Sequence, residues 1–266
     1  MTNKSARKQG IAMRIILYCG FGGAALCALA GTAAAEETAS QTRAVDARVV
    51  RVKLDGIIDL TLRQGPVALL VISGDQRYLA RTSTTMNGDT LTIDTESDGI
   101  TLRPQARLRA ELILPRLRQV TSDGVGRAEI AGFSGDALDV SLDGAGSMNV
   151  VCDYRIVNAS LGGLGSMLIK GVFSDGIDLK LQGAGYVTLS GRGKWLKADM
   201  GGLGSLHAQD FDVDKVSLAL SGLGNAAVTA RHSATVNVSG LGSVAVYGKP
   251  VSRSVSVDGL GHVSWK

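Results

Sequence analysis

Proline, aromatic residues and cysteine are all scarce in this chain. Among its 266 residues are four prolines and three cysteines, and Phe, Trp and Tyr together make up 4%. So few aromatic residues, scattered along the chain, provide no stacking platform for single-stranded nucleic acid. Only Cys152 lies beyond residue 35, so that part of the chain can form no internal disulfide. Helical periodicity is missing too, because no apolar pattern of period 3.6 exceeds two turns after residue 45.

The N-terminal segment has the features of a secretory signal peptide. Basic residues precede an apolar run, residues 15–30, and a stretch of alanines ends at Ala35. This order predicts a leader over residues 1–35 that is cleaved before Glu36, with Met13 as a second candidate start. The basic residues are Lys4, Arg7, Lys8 and Arg14.

Charge is balanced once the leader is removed. The chain has 28 Lys plus Arg and 24 Asp plus Glu, so losing those four basic residues leaves a net charge of zero. A basic stripe for nucleic acid is therefore not expected. The apolar run of the leader is short and glycine-rich for a membrane span, so no transmembrane segment is expected in the mature chain. We expect an exported protein, in the periplasm or at the cell surface.

Glycine is what the chain has in abundance, with 35 residues. Pairs of glycines separated by one residue recur every 18–20 residues. The first glycines of these pairs are Gly124, Gly144, Gly163, Gly183, Gly202, Gly222, Gly240 and Gly259. A fixed period of about 20 residues is typical of a solenoid, whose units bury their apolar faces by stacking on their neighbours.

A nucleotide-binding loop is the other explanation for such glycines. The dinucleotide fingerprint needs a third glycine, but Gly222–Gly224 is followed by Ala227 at that position. Gly193 and the next lysine resemble the end of a P-loop, but Trp195 stands where Ser or Thr must bind magnesium. We therefore expect no nucleotide cofactor.

Apolar and polar residues alternate on both sides of each glycine pair. Equivalent positions of successive coils form columns, and the column two residues before the first glycine is Leu142, Leu161, Leu181, Met200, Leu220, Val238 and Val257. The column four residues after the second glycine is Ile130, Val150, Ile169, Leu189, Ala208, Val228, Val246 and Trp265. A period of two predicts strands with one buried face. We therefore predict an all-β, single-domain parallel β-helix (β-solenoid), with coils of about 19–20 residues and G-x-G corners.

The residue between the two glycines is apolar in every coil, and we expect it to point into the core. Glycines suit such a corner because they leave no Cβ where backbones stack closely. The residues expected to stack inside are Leu164, Leu203, Leu223, Leu241 and Leu260.

The mature chain divides into a short lead and one domain. Residues 36–44 are expected to be a polar lead and residues 45–266 the β-solenoid domain. Within it, residues 45–115 lack the clear repeat and are expected to form irregular first coils or a cap, while residues 116–266 form regular coils.

Residues 45–266 resemble the putative auto-transporter adhesin head (GIN) domain family, a bacterial domain of unknown function. The segments that carry the resemblance include "IIDLTLRQGPVALLVISGD", "LILPRLRQVTSDGVGRAEIAGFSGDAL", the repeated "SGLG" and "VYGKPVSRSVSVDGLGHV". The resemblance implies a secreted or surface β-helix of the Gram-negative envelope, and it implies no reaction and no settled ligand.

No catalytic, cofactor-binding or metal-binding residues are predicted. Polysaccharide-cleaving enzymes need paired carboxylates in a cleft, and the regular coils leave no long loop to wall one. The best acidic candidates are Asp178, Asp199, Asp210, Asp212 and Asp214. The histidines His207, His232 and His262 occupy different columns, so no metal triad follows. Met167 replaces the aspartate of calcium-binding solenoid repeats, and Cys152 is expected to be a small residue filling a corner.

Short polar residues follow the second glycine of each pair. They are Ser147, Ser166, Tyr186, Ser205, Asn225, Ser243 and His262. Such a ladder could bind a surface glycan or another envelope protein, or it could simply satisfy backbone groups at the bend. The predicted function is a secreted, non-enzymatic, adhesin-like binding or structural module of the bacterial envelope. The alternatives are a carbohydrate-active β-helix enzyme and a purely structural envelope protein.

Two further expectations follow from stacking equivalent residues. Asp178 should lie beside Lys197, and Lys180 beside Asp199, as ion pairs between neighbouring coils. Trp265 takes the inward column of the last coil with no cap after it, so we expect this end to be covered by a second copy, end to end, or by another envelope protein.

Overall fold

The computed structural model describes residues 38–95 and 108–266. The described residues are 79% strand and 2% helix, and they form one parallel β-solenoid domain of about seven turns. The predicted fold class is therefore confirmed. The predicted leader and its cleavage site lie outside the described residues.

The first part of the domain is built from short strands and one helical turn. Its elements are β1 (Thr38–Ala44), β2 (Arg51–Asp55), β3 (Ile58–Gln64), β4 (Leu69–Asp75), α1 (Gln76–Leu79), β5 (Thr82–Asn87), β6 (Thr90–Thr95), β7 (Leu108–Leu114) and β8 (Gln119–Ser122). Strand β2 pairs in parallel with β6 and β8, and β3 pairs in parallel with β7. Strand β4 instead runs antiparallel to both β1 and β7, and β5 runs antiparallel to β6.

These antiparallel strands cover the N-terminal end of the solenoid. Leu70 and Ile72 of β4 and Leu79 of α1 are fully buried in the core. The Asp75 side chain caps α1 by accepting a hydrogen bond from the Arg77 backbone N–H at 2.9 Å. The Arg43 guanidinium donates to the Thr84 hydroxyl and so connects β1 with β5. The polar segment before the solenoid thus contributes the strand β1 to this cap.

Each regular coil is a single long, bent strand. These strands are β9 (Val125–Leu142), β10 (Ala145–Leu161), β11 (Leu164–Leu181), β12 (Ala184–Met200), β13 (Leu203–Leu220) and β14 (Leu223–Val238), followed by the shorter β15 (Leu241–Tyr247), β16 (Ser252–Val257) and β17 (His262–Trp265). Consecutive coils pair in parallel, with equivalent residues of the repeat side by side. Register shifts, such as the one between Cys152 and Ile156, mark a second bend in each coil.

The inward columns predicted from the alternation are buried through coil β14. Leu142, Leu161, Leu181, Met200, Leu220 and Val238 are all at most 2% exposed. Val255 and Val257, the equivalent residues on β16, are instead exposed, because no further coil stacks on this strand. Trp265 is half-buried, and the Arg253 guanidinium lies 4.8 Å from the centre of its ring.

The predicted alignment of charges between coils is also present. Asp178 is the register partner of Lys197, and their charged groups are 3.2 Å apart. Lys180 and Asp199 are register partners as well, but the ion pair expected between them is not formed: Asp199 is instead contacted by Lys197, at 3.7 Å. The Asp178 side chain, as hydrogen-bond acceptor, raises the pKa of Lys197. Because Lys197 is exposed, these contacts contribute little to stability, and they support the register more than the fold.

The prediction for the corner leucines is wrong: they point outward. Leu164, Leu203, Leu223, Leu241 and Leu260 are 61%, 58%, 48%, 49% and 86% exposed. The reason is that the alternation of the strand continues through the glycine pair. Both glycines fall on the inward phase, and the residue between them falls on the outward phase.

Glycine is needed at these positions because neighbouring coils approach too closely for a side chain. A Cβ on Gly146 would lie 2.0 Å from the carbonyl oxygen of Gly126 in the coil before. A Cβ on Gly204 would meet the Gly185 oxygen at 2.5 Å and the buried Leu181 side chain at 2.6 Å. The glycine pairs therefore bring the backbones together and leave the residue between them protruding.

Candidate binding surface

The strand segments that follow the glycine corners present one continuous outer face, which we call the corner face. Its first column, the leucine column, is Val125, Ala145, Leu164, Ala184, Leu203, Leu223, Leu241 and Leu260. Its second, the polar column, is Arg127, Ser147, Ser166, Tyr186, Ser205, Asn225, Ser243 and His262. Parallel pairing places the members of each column side by side from coil to coil, about 4.8 Å apart.

The middle of the corner face carries no charge next to the leucines. From Leu164 to Leu241, the residues just before the glycine pairs are Gly162, Gln182, Gly201, Ser221 and Ser239. The polar column opposite them contains only hydroxyl and amide side chains over the same coils. Five positions at this spacing make a neutral strip roughly 19 Å long, whose apolar column is formed by four leucines and Ala184.

Hydrogen bonds within the fold use only part of the polar column. The Asn225 side-chain oxygen accepts from the Ser243 hydroxyl at 2.8 Å and from the Ser243 backbone N–H at 3.3 Å. In the described part of the chain, the hydroxyls of Ser147, Ser166 and Ser205 have no such partner. Hydrogen bonding at the bend therefore engages two members of the polar column, Asn225 and Ser243. Several other hydroxyls of the column are left free to bind a ligand.

A shallow groove of about 280 Å³ crosses the corner face at its N-terminal half. Arg127 and Tyr186 stand at its two ends, and the short side chains of Ser147 and Ser166 lie between them in the same column. Tyr186 is 53% exposed, and its ring centre is 6.4 Å from that of His207. The remaining lining residues are Glu129, Met148, Asn149, Met167, Leu168 and Thr188. This groove was not predicted from the sequence.

The acidic candidates do not form a catalytic pair. Asp178 and Asp199 both contact Lys197 on an outer face. Asp212 and Asp214 each lie 3.3 Å from the Arg231 guanidinium. Asp210, an exposed residue on β13, is the register partner of Ser190. Four of these five carboxylates thus lie in ion pairs, two with Lys197 and two with Arg231.

A carbohydrate-active enzyme would be supported by an acidic pair in a concave groove among the first strands, and a depression lies in this region. It has a volume of about 490 Å³ and is lined by Asp46, Arg48, Met86, Gly88 and Asp89. The Arg48 side chain donates hydrogen bonds to Asp46 and lowers the pKa of that carboxyl to about 2. A general acid of a glycosidase needs the opposite, a raised pKa. Asp46 is therefore suited to an ion pair and not to proton donation.

The histidines and the cysteine lie apart from one another. His232 Nδ1 is 3.2 Å from the Asp214 carboxylate, while His207 is near Tyr186 and His262 lies on β17. Within residues 38–95 and 108–266, no three His, Cys, Asp or Glu side chains are grouped as metal ligands. Cys152 is buried opposite Gly171, and its burial raises the pKa of the thiol to about 11. A thiol with this pKa is unreactive near neutral pH.

None of the helices in the described segments is long and apolar enough to cross a membrane.

A parallel β-solenoid with an antiparallel cap is a repeat architecture, in which each regular coil packs only against its neighbours. Residues 50–250 match the family described as "Putative auto-transporter adhesin, head GIN domain". The chain belongs to this family, which implies a location at the cell surface or outside the cell. A search of curated proteins gives no significant match.

Solved structures of several bacterial proteins share this fold. A structure from Parabacteroides distasonis described as a putative adhesin has a TM-score of 0.77 at 18% identity, covering 86% of this chain and 97% of that one. A putative adhesin from Bacteroides fragilis has a TM-score of 0.67 at 19% identity, with 87% and 98% covered. A protein from Parabacteroides distasonis described as a putative lipid binding protein has a TM-score of 0.71 at 14% identity, with 85% and 96% covered. At these identities the likeness shows the fold alone.

Proposed function

We propose that this protein is an exported, non-enzymatic adhesin-like module of the bacterial envelope that holds its target against the corner face. Export would use the leader at residues 1–35, and the mature domain would act at the cell surface. The target we favour is a surface glycan. The observation that carries the proposal is the leucine column, whose five leucines are 48% to 86% exposed on a regular outer face.

Exposed apolar rows of this kind are uncommon on soluble proteins that bind nothing. Contiguous apolar patches rimmed by polar residues mark interaction sites. Here the rim is neutral and rich in hydroxyl groups, which suits a partner that is itself uncharged and hydroxylated. The solenoid repeats the same chemistry in each coil, so one partner can make several weak contacts at once, and these add up to useful affinity.

Two alternatives receive less support. A carbohydrate-cleaving enzyme would need an acid with a raised pKa, whereas Asp46, Asp75 and Asp175 all have theirs lowered by a neighbouring Arg or Lys. A purely structural role would fit a uniform polar surface, and the leucine column and the exposed Tyr186 break that uniformity. The putative lipid binding protein with this fold makes lipid a partner that should be tested in parallel.

Replacing two central members of the leucine column should remove binding. We expect the exported Leu203→Ser/Leu223→Ser variant to bind a glycan array and purified bacterial envelopes at least tenfold more weakly than the wild type, because the apolar contact is lost. The matched control is Val67→Ser/Phe173→Ser, two exposed apolar residues outside the column, 69% and 66% exposed. Equal binding by both double variants would contradict the proposal, and so would wild-type binding to lipid vesicles alone.

The last coil is proposed to be covered by a second copy of the chain. Val251 and Leu260 are 91% and 86% exposed, and β16 pairs on one side only, with β14. The N-terminal end is closed by its antiparallel cap, so the open strands of two copies are the surfaces left to meet. We expect sedimentation velocity to show a concentration-dependent dimer that Val255→Lys weakens. A wild type that stays monomeric at high concentration would exclude this pairing.

A further inference from the structure

We propose that the groove between Arg127 and Tyr186 is a subsite for a short neutral oligosaccharide. This inference rests on the proposed function, because it names the ligand class at one place on the corner face.

The groove has the length and shape for a few sugar units. Arg127, Ser147, Ser166 and Tyr186 are successive register partners, so three coil steps of about 4.8 Å separate the two large end residues by roughly 14 Å. The two serines are too short to fill the space between them, which creates the depression of about 280 Å³. That length corresponds to a disaccharide or trisaccharide lying along the solenoid axis.

The lining offers the hydrogen-bonding groups that sugar hydroxyls use. The Ser147 and Ser166 hydroxyls can both donate and accept, and within the described residues they are not engaged by the fold. The side-chain oxygen of Asn149, also in the lining, is buried without a hydrogen-bond partner among the described residues. Leaving a buried acceptor without a hydrogen bond costs free energy. A small rotation of the Asn149 side chain would bring its amide within reach of a ligand hydroxyl, and the resulting hydrogen bond would recover that cost.

Tyr186 provides the apolar end of the groove. It replaces the serine found in the coils on either side, Ser166 and Ser205, and more than half of its surface is exposed. A rigid aromatic ring with a polar tip can pack against the C–H face of a sugar and still reach its hydroxyls. An aromatic ring beside free hydroxyl groups is the usual composition of a small polar-ligand site.

The charges at the other end favour a neutral ligand. Arg127 and Glu129 are both exposed on strand β9, and both line this end of the groove. The Arg127 backbone N–H also donates to the Asp59 carboxylate at 2.8 Å, which places a second acidic group at this end. The two carboxylates disfavour an anionic sugar at this end, whereas a neutral sugar can hydrogen-bond to Arg127 and Glu129, which both line the groove.

Saturation-transfer NMR and calorimetry on the exported chain test this subsite. The probes are maltotriose, cellotriose, chitotriose and the acidic 3′-sialyllactose. We expect at least one neutral trisaccharide to bind and 3′-sialyllactose to bind more weakly. Tyr186→Ala removes the aromatic ring, and Ser166→Arg fills the groove. Each of these variants should weaken trisaccharide binding at least tenfold. Tyr186→Phe should retain most of it, because the ring face remains.

The matched control for Ser166→Arg is Thr235→Arg, at an exposed position of β14 that lies outside both the groove and the corner face. It should leave trisaccharide affinity unchanged. The subsite is refuted if no neutral trisaccharide binds, if the sialylated one binds best, or if the two arginine variants have equal effects. If it is refuted while the leucine variants still lose envelope binding, the proposed function stands without it. If trisaccharides bind as expected and the leucine variants bind envelopes normally, the proposed function of the leucine column is wrong and the subsite stands.

Discussion

Leu206→Asp is expected to prevent folding, whereas Leu203→Asp, three residues earlier on β13, is expected to leave the fold intact. Leu206 is fully buried and Leu203 is 58% exposed. Truncating a buried leucine to alanine already costs about 2–5 kcal/mol. An unpaired buried carboxylate adds a desolvation penalty of several kcal/mol. Together these approach the total stability of a typical domain, about 5–15 kcal/mol.

Circular dichroism and thermal unfolding of the two variants measure this contrast. Exposed substitutions usually change stability by no more than about 0.5 kcal/mol. The Leu203→Asp protein should therefore keep the strand spectrum of the wild type and melt within about 2 °C of it. The Leu206→Asp protein should lack a cooperative transition. If Leu203→Asp also fails to fold, the corner residue is inside the solenoid and the outward assignment of the leucine column is wrong.

Gly163→Ala is expected to cause the second-largest loss, because a methyl group there collides with backbone. A Cβ on Gly163 would lie 1.9 Å from the Gly144 carbonyl oxygen and 2.6 Å from that of Asp143. Overpacking typically costs about 1–3 kcal/mol. Here the upper end or more is expected, since stacked strands cannot move apart without breaking their ladder of hydrogen bonds.

Gly171→Ala is the matched control on the following strand. A Cβ there meets only the Cys152 carbonyl oxygen, at an ordinary 3.9 Å. Chemical unfolding should show a lower midpoint for Gly163→Ala and a nearly unchanged one for Gly171→Ala. For a domain of this size, each kcal/mol lowers the melting temperature by roughly 2–4 °C. Equal midpoints for the two variants would mean that the corner glycines are not required by close stacking.

The regular coils could be predicted because their information is local and repeated. The spacing of the glycine pairs gives the coil length, and the alternation of residues such as Leu179 and Leu181 identifies the inward face. The same alternation, followed through the glycines, also gives the correct outward direction for Leu203. The inward prediction failed because it treated the corner as a break in the strand, although the strand phase continues across it.

The cap could not be predicted in the same detail. Strand β1 is mostly polar, TASQTRA, and nothing in its own sequence specifies that it pairs antiparallel with β4. That pairing depends on contacts between segments about 30 residues apart and on the need to close the first coil. Since residues 45–115 carry no repeat, the sequence offers no columns from which to derive their register.

The candidate surface was predictable in part. The polar column was correctly identified from its position after the glycines, but the groove depends on differences in side-chain size between neighbouring coils. The signal was present in the sequence, as Tyr186 interrupts a run of serines and Ala184 interrupts a run of leucines. In a solenoid, a residue that differs in size from the others in its column therefore indicates a local change in surface shape.

Ligand protection of single cysteines tests most directly whether the corner face is the binding surface. The variants are Leu223→Cys, in the leucine column, and Thr235→Cys, an exposed position of β14 before the next corner. The native Cys152 will not interfere, because it is buried and its thiol pKa is about 11. Each exported variant is labelled with a maleimide, with and without saturating purified envelopes or the glycan selected on the array. The structure predicts strong slowing of labelling at Leu223→Cys and none at Thr235→Cys. Unchanged labelling at Leu223→Cys under conditions of full binding would contradict it.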